Sequence, residues 1–137
     1  MNYKLFLDDI REPDEVFGYT NIQLYLTGWK IVRNYDQFIK CILENGIPSA
    51  ISFDHDLGHE HYKIQSNIEY NQFKEKTGFH CAKWVIEYCI DRKLELPETI
   101  LIHSWNKSGA ANIKSLFDTY NKVKYINPLD IPPTPFS

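Results

Sequence analysis

Cysteine is scarce in this chain, and what little there is forms no pattern. Cys41, Cys81 and Cys89 are odd in number and show no Cys-x-x-Cys spacing, which leaves no disulfide framework to build on. The N-terminus opens on a strand pattern instead of a charged and apolar leader, so the expected location is the cytoplasm. Long apolar runs are also missing, and nothing approaches the length of a membrane span. No charge dominates: 15 basic residues stand against 18 acidic ones in 137, a formal net charge of −3. That balance argues against general nucleic-acid binding and against a polybasic membrane contact. There is no internal repeat, and only 128–137, with Pro128, Pro132, Pro133 and Pro135, is biased in composition. The expectation is one domain over 1–137 with a Pro-rich C-terminal tail, large enough to bury its own core.

What the chain does have is acid at the ends of apolar runs. Leu5-Phe6-Leu7 leads into Asp8-Asp9, and Ile51-Ser52-Phe53 leads into Asp54-His55-Asp56. Two carboxylates about 4 Å apart repel by roughly 4 kcal/mol at an effective dielectric of 20, so a cluster of them needs a compensating cation. Hard oxygen ligands favour magnesium, with manganese as the alternative, and magnesium held by few carboxylates usually shares its shell with phosphate. The bland alternative is that these acids cap helices or solvate loops.

Hydrophobic spacing and turn residues divide the chain into alternating elements. Strands are expected at 3–7, 29–32, 50–53, 99–102 and 123–126. Helices are expected at 35–45, from Thr77-Gly78 to about Arg92, and from near Ser108 onward. Asn34 with Gln37 reads as a capping box, and Gly46 as a C-terminal glycine. The stretch 11–27 reads as a long loop with at most a short helix, and 58–76 as a polar excursion. Strands separated by helices imply a parallel sheet in three layers, flavodoxin-like, with order 2-1-3-4-5. Ligands in such sheets bind beyond the C-terminal strand ends, where Asp8, Asp9, Asp54, Asp56, His103, Ser104 and Asn106 all fall.

The order Asp8-Asp9, Asp54, Ser104 resembles the receiver domain of two-component signalling. That resemblance implies magnesium on Asp8, Asp9 and Asp54, with Ser104 against a phosphoryl group. A closer resemblance runs through Leu5-Phe6-Leu7-Asp8-Asp9-x-Arg11-x-Pro13, Ile51 to Gly58, Thr77-Gly78-Phe79 with Trp84, and His103-Ser104-x-Asn106-x-x-Gly109. These are similar to the receiver-derived family called cyclic-phosphate processing receiver domains. Signalling receivers carry Lys before Pro at the end of strand five, whereas the corresponding pair here is Asn127-Pro128. Without that ammonium a phosphorylated Asp54 is less well stabilised, so catalysis ranks above switching.

The resulting expectation is a metal-dependent phosphoesterase acting on a cyclic phosphate, nucleotide-derived. Its rivals are a non-catalytic phosphoacceptor and a nucleotide-sequestering module. Asp54 is either a nucleophile or a metal ligand only, and Asp56 is an outer ligand, a base or a turn cap. His103 is the expected general acid or base, since imidazole titrates near neutrality. Ser104 and Asn106 are expected to donate to phosphate oxygens, with Gly109 permitting close approach at a helix start; simple N-capping is the alternative. Arg11 is expected to clamp phosphate with its planar fork, unless it pairs with Glu12 or Asp14. His55, His59 and His61 form a minor competing zinc or manganese site. Trp105 or Tyr62 offers a face for stacking a nucleobase, while Tyr70 and Phe73 read as packing.

Overall fold

The computed structural model describes residues 3–58 and 76–119 and the backbone of 124–126. Five parallel strands, β1 (Lys4–Leu7), β2 (Trp29–Val32), β3 (Ala50–Phe53), β4 (Thr99–Ile102) and β5 (Lys124–Ile126), stand in the order β2-β1-β3-β4-β5. This is the flavodoxin-like, receiver-like sheet expected from the sequence. Strands β1, β3 and β4 are almost wholly apolar because helices cover both of their faces.

Chain direction decides which face each helix covers. The step from β1 to β2 moves one way along the sheet, and every later step moves the other way. Right-handed crossovers therefore put α1 (Pro13–Thr20) on one face and α2 (Tyr35–Asn45), α3 (Gly78–Arg92) and α4 (Lys107–Asp118) on the opposite one. The core divides in the same way. Leu5, Leu7, Ile51, Phe53, Ile100 and Ile102 pack against Phe38 and Ile42 of α2, Val85 of α3, and Ile113 and Phe117 of α4. Phe6, Ala50 and Leu101 point to the other face and meet Val16 of α1 and Tyr25. Each fully buried Leu, Ile or Phe contributes about 1.5–3 kcal/mol, so the two clusters supply most of what holds the layers together.

Local signals account for the helix ends. Asn34 accepts a hydrogen bond from the Gln37 amide at 2.9 Å, but Gln37 Oε1 accepts from the Arg33 amide, one residue short of the reciprocal box expected. Gly46 ends α2 with φ of 85°, a conformation that favours glycine. The stretch 11–27 holds α1 and a single 3₁₀ turn at Gln23–Leu26. Pro13 in the first turn and a box between Glu12 and Glu15 start α1, and left-handed Asn21 ends it.

No described helix is long and apolar enough to cross a membrane. The expectations for His59, His61, Tyr62, Tyr70, Phe73, the Asn127-Pro128 pair and the tail 128–137 lie outside the described residues.

Candidate functional site

Parallel pairing aligns Leu7, Phe53 and Ile102, so the next residue on each strand, Asp8, Asp54 and His103, reaches the C-terminal edge in one row. The ladder continues under them: the Asp54 amide bonds Leu7 O at 2.9 Å, and the His103 amide bonds Phe53 O at 2.9 Å. Because side chains alternate, these three share the face of Phe6 and Ser52. Ligand atoms of Asp8, Asp9 and Asp54 all lie within 4.8 Å of one another. Asp8 and Asp54 are buried and Asp9 is partly exposed.

Arg11 enters this cluster. Its Nε donates to Asp8 Oδ2 at 2.8 Å, and its Nη2 lies 3.5 Å from Asp54 Oδ1. The alternative pairing with Glu12 or Asp14 does not form; Glu12 pairs with Arg33 instead, at 2.8 Å. Arg33 also donates to the carbonyl oxygens of Asp8 and Arg11, at 3.2 and 2.6 Å, and so fixes the turn that carries them. Among the described residues, two buried side-chain polar atoms have no hydrogen-bond partner, Arg11 Nη1 and Asp54 Oδ2.

Charge and burial set these groups apart. Burial pushes the Asp54 carboxyl well above its ordinary range, and the Asp8 charge adds to this while Arg11 opposes it. Burial also acts upward on Asp8, yet the hydrogen bond from His103 and the amides of Arg11 and Ile10 outweigh it and hold that carboxyl well below its ordinary range. Burial alone would depress the Arg11 guanidinium, but the Asp54 and Asp8 charges raise it further. The negative charge of Asp8 is thus matched by its hydrogen-bond partners, and that of Asp54 is not. Asp54, with an unpartnered buried oxygen beside two other acids, is what a divalent cation fits.

The expectation for His103 is corrected. It is fully buried, stacked on Phe6 at 4.5 Å between ring centroids, and both ring nitrogens are engaged. Nε2 meets Asp8 Oδ2 at 3.0 Å and Nδ1 meets Ser52 Oγ at 2.6 Å. Ser52 Oγ lies 2.7 Å from the Tyr25 hydroxyl. Every atom has a partner when Tyr25 donates to Ser52, Ser52 donates to Nδ1, and Nε2–H donates to ionised Asp8. Burial lowers the His103 pKa against the pull of Asp8, consistent with that neutral ring. His103 therefore holds Asp8 from below and has no surface from which to trade a proton with a ligand.

Asn106 and Gly109 also differ from expectation. Asn106 Oδ1 caps α4 by accepting from the Gly109 amide at 2.9 Å, and its Nδ2 donates to Asp56 Oδ1 at 3.1 Å. The N-capping alternative is the one realised, and the amide faces a carboxylate where a phosphate was expected. A Cβ on Gly109 would run into the His55 ring, so the close approach there is to protein. Gly78 plays the same part at the start of α3, against the Asp54 carbonyl, while Thr77 and His80 form the capping box. Asp56 is buried and bonds His55 Nδ1 at 2.7 Å. Ser104 Oγ accepts from the Asn106 amide at 3.1 Å. Trp105 is 63% exposed and meets the exposed Tyr19 edge to face, centroids 5.7 Å apart.

Sequence reasoning did not find Arg33, Ser52 or Tyr25. The one available signal was Ser52, a hydroxyl set between Ile51 and Phe53 in an otherwise apolar strand.

Known proteins add the family. Among solved structures, a fusion of the yeast Spc42 trimeric coiled-coil, amino acids 181–211, to another structure aligns with TM-score 0.50 and 16% identity, over 93% of this chain and 65% of that one. The chain thus spans somewhat less than two thirds of that solved chain. The N-terminal domain of a response regulator/sensory box/GGDEF 3-domain protein from Carboxydothermus hydrogenoformans aligns with TM-score 0.49 and 15% identity, over 92% and 78%. No curated protein matches. The model of the cyclic-phosphate processing receiver domain matches residues 3–119, so the chain belongs to that family.

Proposed function

We propose that the protein is a metal-dependent phosphoesterase that opens a cyclic phosphate, nucleotide-derived. One observation carries the reading: two side chains 3.5 Å apart each bury an unpartnered atom of opposite demand. Asp54 Oδ2 needs a cation and Arg11 Nη1 needs an anion. Asp8, Asp9 and Asp54 would hold a divalent ion, magnesium or manganese, which when bound would offset their charge and polarise a phosphoryl oxygen.

Ring opening breaks one P–O ester bond, adds the oxygen of water to phosphorus and puts a proton on the freed hydroxyl. Arg11 Nη1 donates to a non-bridging oxygen, where negative charge grows. Asp54 either orients the water or attacks phosphorus itself, displacing the ester oxygen to give an acyl phosphate that water then hydrolyses, and Asp56 is the neighbouring carboxylate assigned to the proton. Ser104 lies at the same edge and is assigned to the phosphate. His103 contributes by holding Asp8, which in turn holds Arg11. The exposed rings of Trp105 and Tyr19 support a ligand with a nucleobase.

The test is turnover of a panel of cyclic nucleotides, 2′,3′ and 3′,5′, with magnesium or manganese and with chelator. Metal-dependent ring opening that is lost in Asp54→Asn is the expected result. No turnover, with a phosphate adduct that persists after treatment with a small phosphodonor and is absent in Asp54→Asn, would make the protein a phosphoacceptor instead.

A further inference from the structure

While Arg11 holds it, Asp8 has all four of its acceptor positions occupied. Its Oδ1 accepts from the amides of Ile10 and Arg11, at 3.0 and 2.8 Å, and its Oδ2 accepts from Arg11 Nε and His103 Nε2, at 2.8 and 3.0 Å. Four donors saturate a carboxylate. The Arg11 side chain, only 14% exposed, contacts both Asp8 and Asp54. It satisfies Asp8 well and Asp54 poorly, and its own Nη1 is left buried without an acceptor.

We propose that Arg11 is the resident counter-cation of the carboxylate cluster, that it competes with a divalent ion for it, and that an anion of the phosphate class relieves the competition. The proposal rests on the metal-site reading above and deepens it. Two cations cannot share Asp8 and Asp54 without repulsion in a buried site, where charges are poorly screened. Cation entry therefore weakens the hold of Asp8 and Asp54 on Arg11. A phosphate oxygen accepting from Nη1 brings negative charge to the guanidinium and gives it a second place to bind. Phosphate and metal then favour each other through Arg11, and that coupling is reciprocal. The consequence is a site that holds a free divalent ion weakly and fills when the anion is present.

The test is the affinity for manganese alone, read by the paramagnetic resonance of the free ion at low salt, for the wild-type protein and for Arg11→Gln. Removing the competitor is expected to tighten manganese binding by about fivefold or more. Inorganic phosphate is expected to tighten manganese binding more in the wild type than in Arg11→Gln, since only the wild type has a guanidinium to draw away. Arg11→Lys keeps the charge but cannot reach both carboxylates with a planar fork, so it is expected to fall between the two. If Arg11→Gln does not fold, Arg11→Lys carries the test. Manganese affinity equal to or weaker than wild type in the variant that folds would overturn the competition while leaving the metal site in place. Absence of manganese binding in every form would overturn the metal site, and this proposal with it.

Discussion

Neighbouring carboxylates in this molecule are held in opposite ways, and pH separates them. Asp54 carries a raised folded pKa, chiefly from burial. Its ionisation costs stability as pH rises from the ordinary carboxylate range through that raised value, and the full cost is present above it. Asp54→Asn is therefore expected to raise the melting temperature at neutral pH in chelator, with an advantage that shrinks towards acid. Asp8 has a depressed folded pKa, so its stabilisation is complete above the ordinary range and is lost as pH falls through the folded value. Asp8→Asn should lower the melting temperature at neutral pH, with a penalty that fades in strong acid. Thermal unfolding of both variants across pH checks the two signs together. The chain beneath Asp8 gives a second prediction. Ser52→Ala strands both His103 Nδ1 and the Tyr25 hydroxyl, at about 1–3 kcal/mol for a buried unpaired group, whereas Tyr25→Phe removes one donor and strands none. Urea midpoints should rank Ser52→Ala well below Tyr25→Phe.

Elements were more legible than the contacts between them. Strands β2, β3 and β4 and helix α2 occupy the expected residues, because β-branched runs and helical spacing are local properties of the chain. Helix α1, eight residues, is the short helix that the reading of 11–27 allowed, and Pro13 and the Glu12–Glu15 pair mark its start. At the carboxylate edge the sequence placed Asp8, Asp9 and Asp54 together through the strand-end rule, while Arg11 was expected there as a phosphate clamp and not as the partner of Asp8. It could not show that His103 turns inward, since that depends on Ser52 and Asp8, 51 and 95 residues away. Gly109 was read as room for an anion, whereas it and Gly78 are room for the 54–57 loop. Alanine at Gly78 meets backbone, and alanine at Gly109 meets a ring that can shift, so both should destabilise, by about 1–3 kcal/mol or more, and Gly78→Ala the more strongly. Denaturant midpoints of the two variants would show the opposite order if these helix starts were loosely seated.

Among the described residues, the sheet order places α2, α3 and α4 on one face and α1 on the other, and the carboxylate edge draws residues from the ends of β1 and β3 and the turn that Arg33 fixes. A cation bound there ties parts of the chain that are distant in sequence, so binding should register as global stability. With inorganic phosphate present throughout, millimolar magnesium or manganese is expected to raise the melting temperature of the wild type relative to chelator, and Asp54→Asn should lose most of that rise. Equal melting temperatures with ion and with chelator would exclude a site strong enough to matter.

With the protons assigned so that every atom has a partner, the hydrogen bonds from Tyr25 through Ser52 and His103 to Asp8 all run in one direction, each group donating to the next. Such a line is polarised, with its negative end at the carboxylate. It cannot be reversed one bond at a time, because a protonated Asp8 would face the Nε2 proton head on. The three protons involved belong to groups that are buried from solvent. They should therefore persist as separate low-field proton resonances, and a change at the carboxylate edge should move the Tyr25 hydroxyl signal without moving the Tyr25 ring.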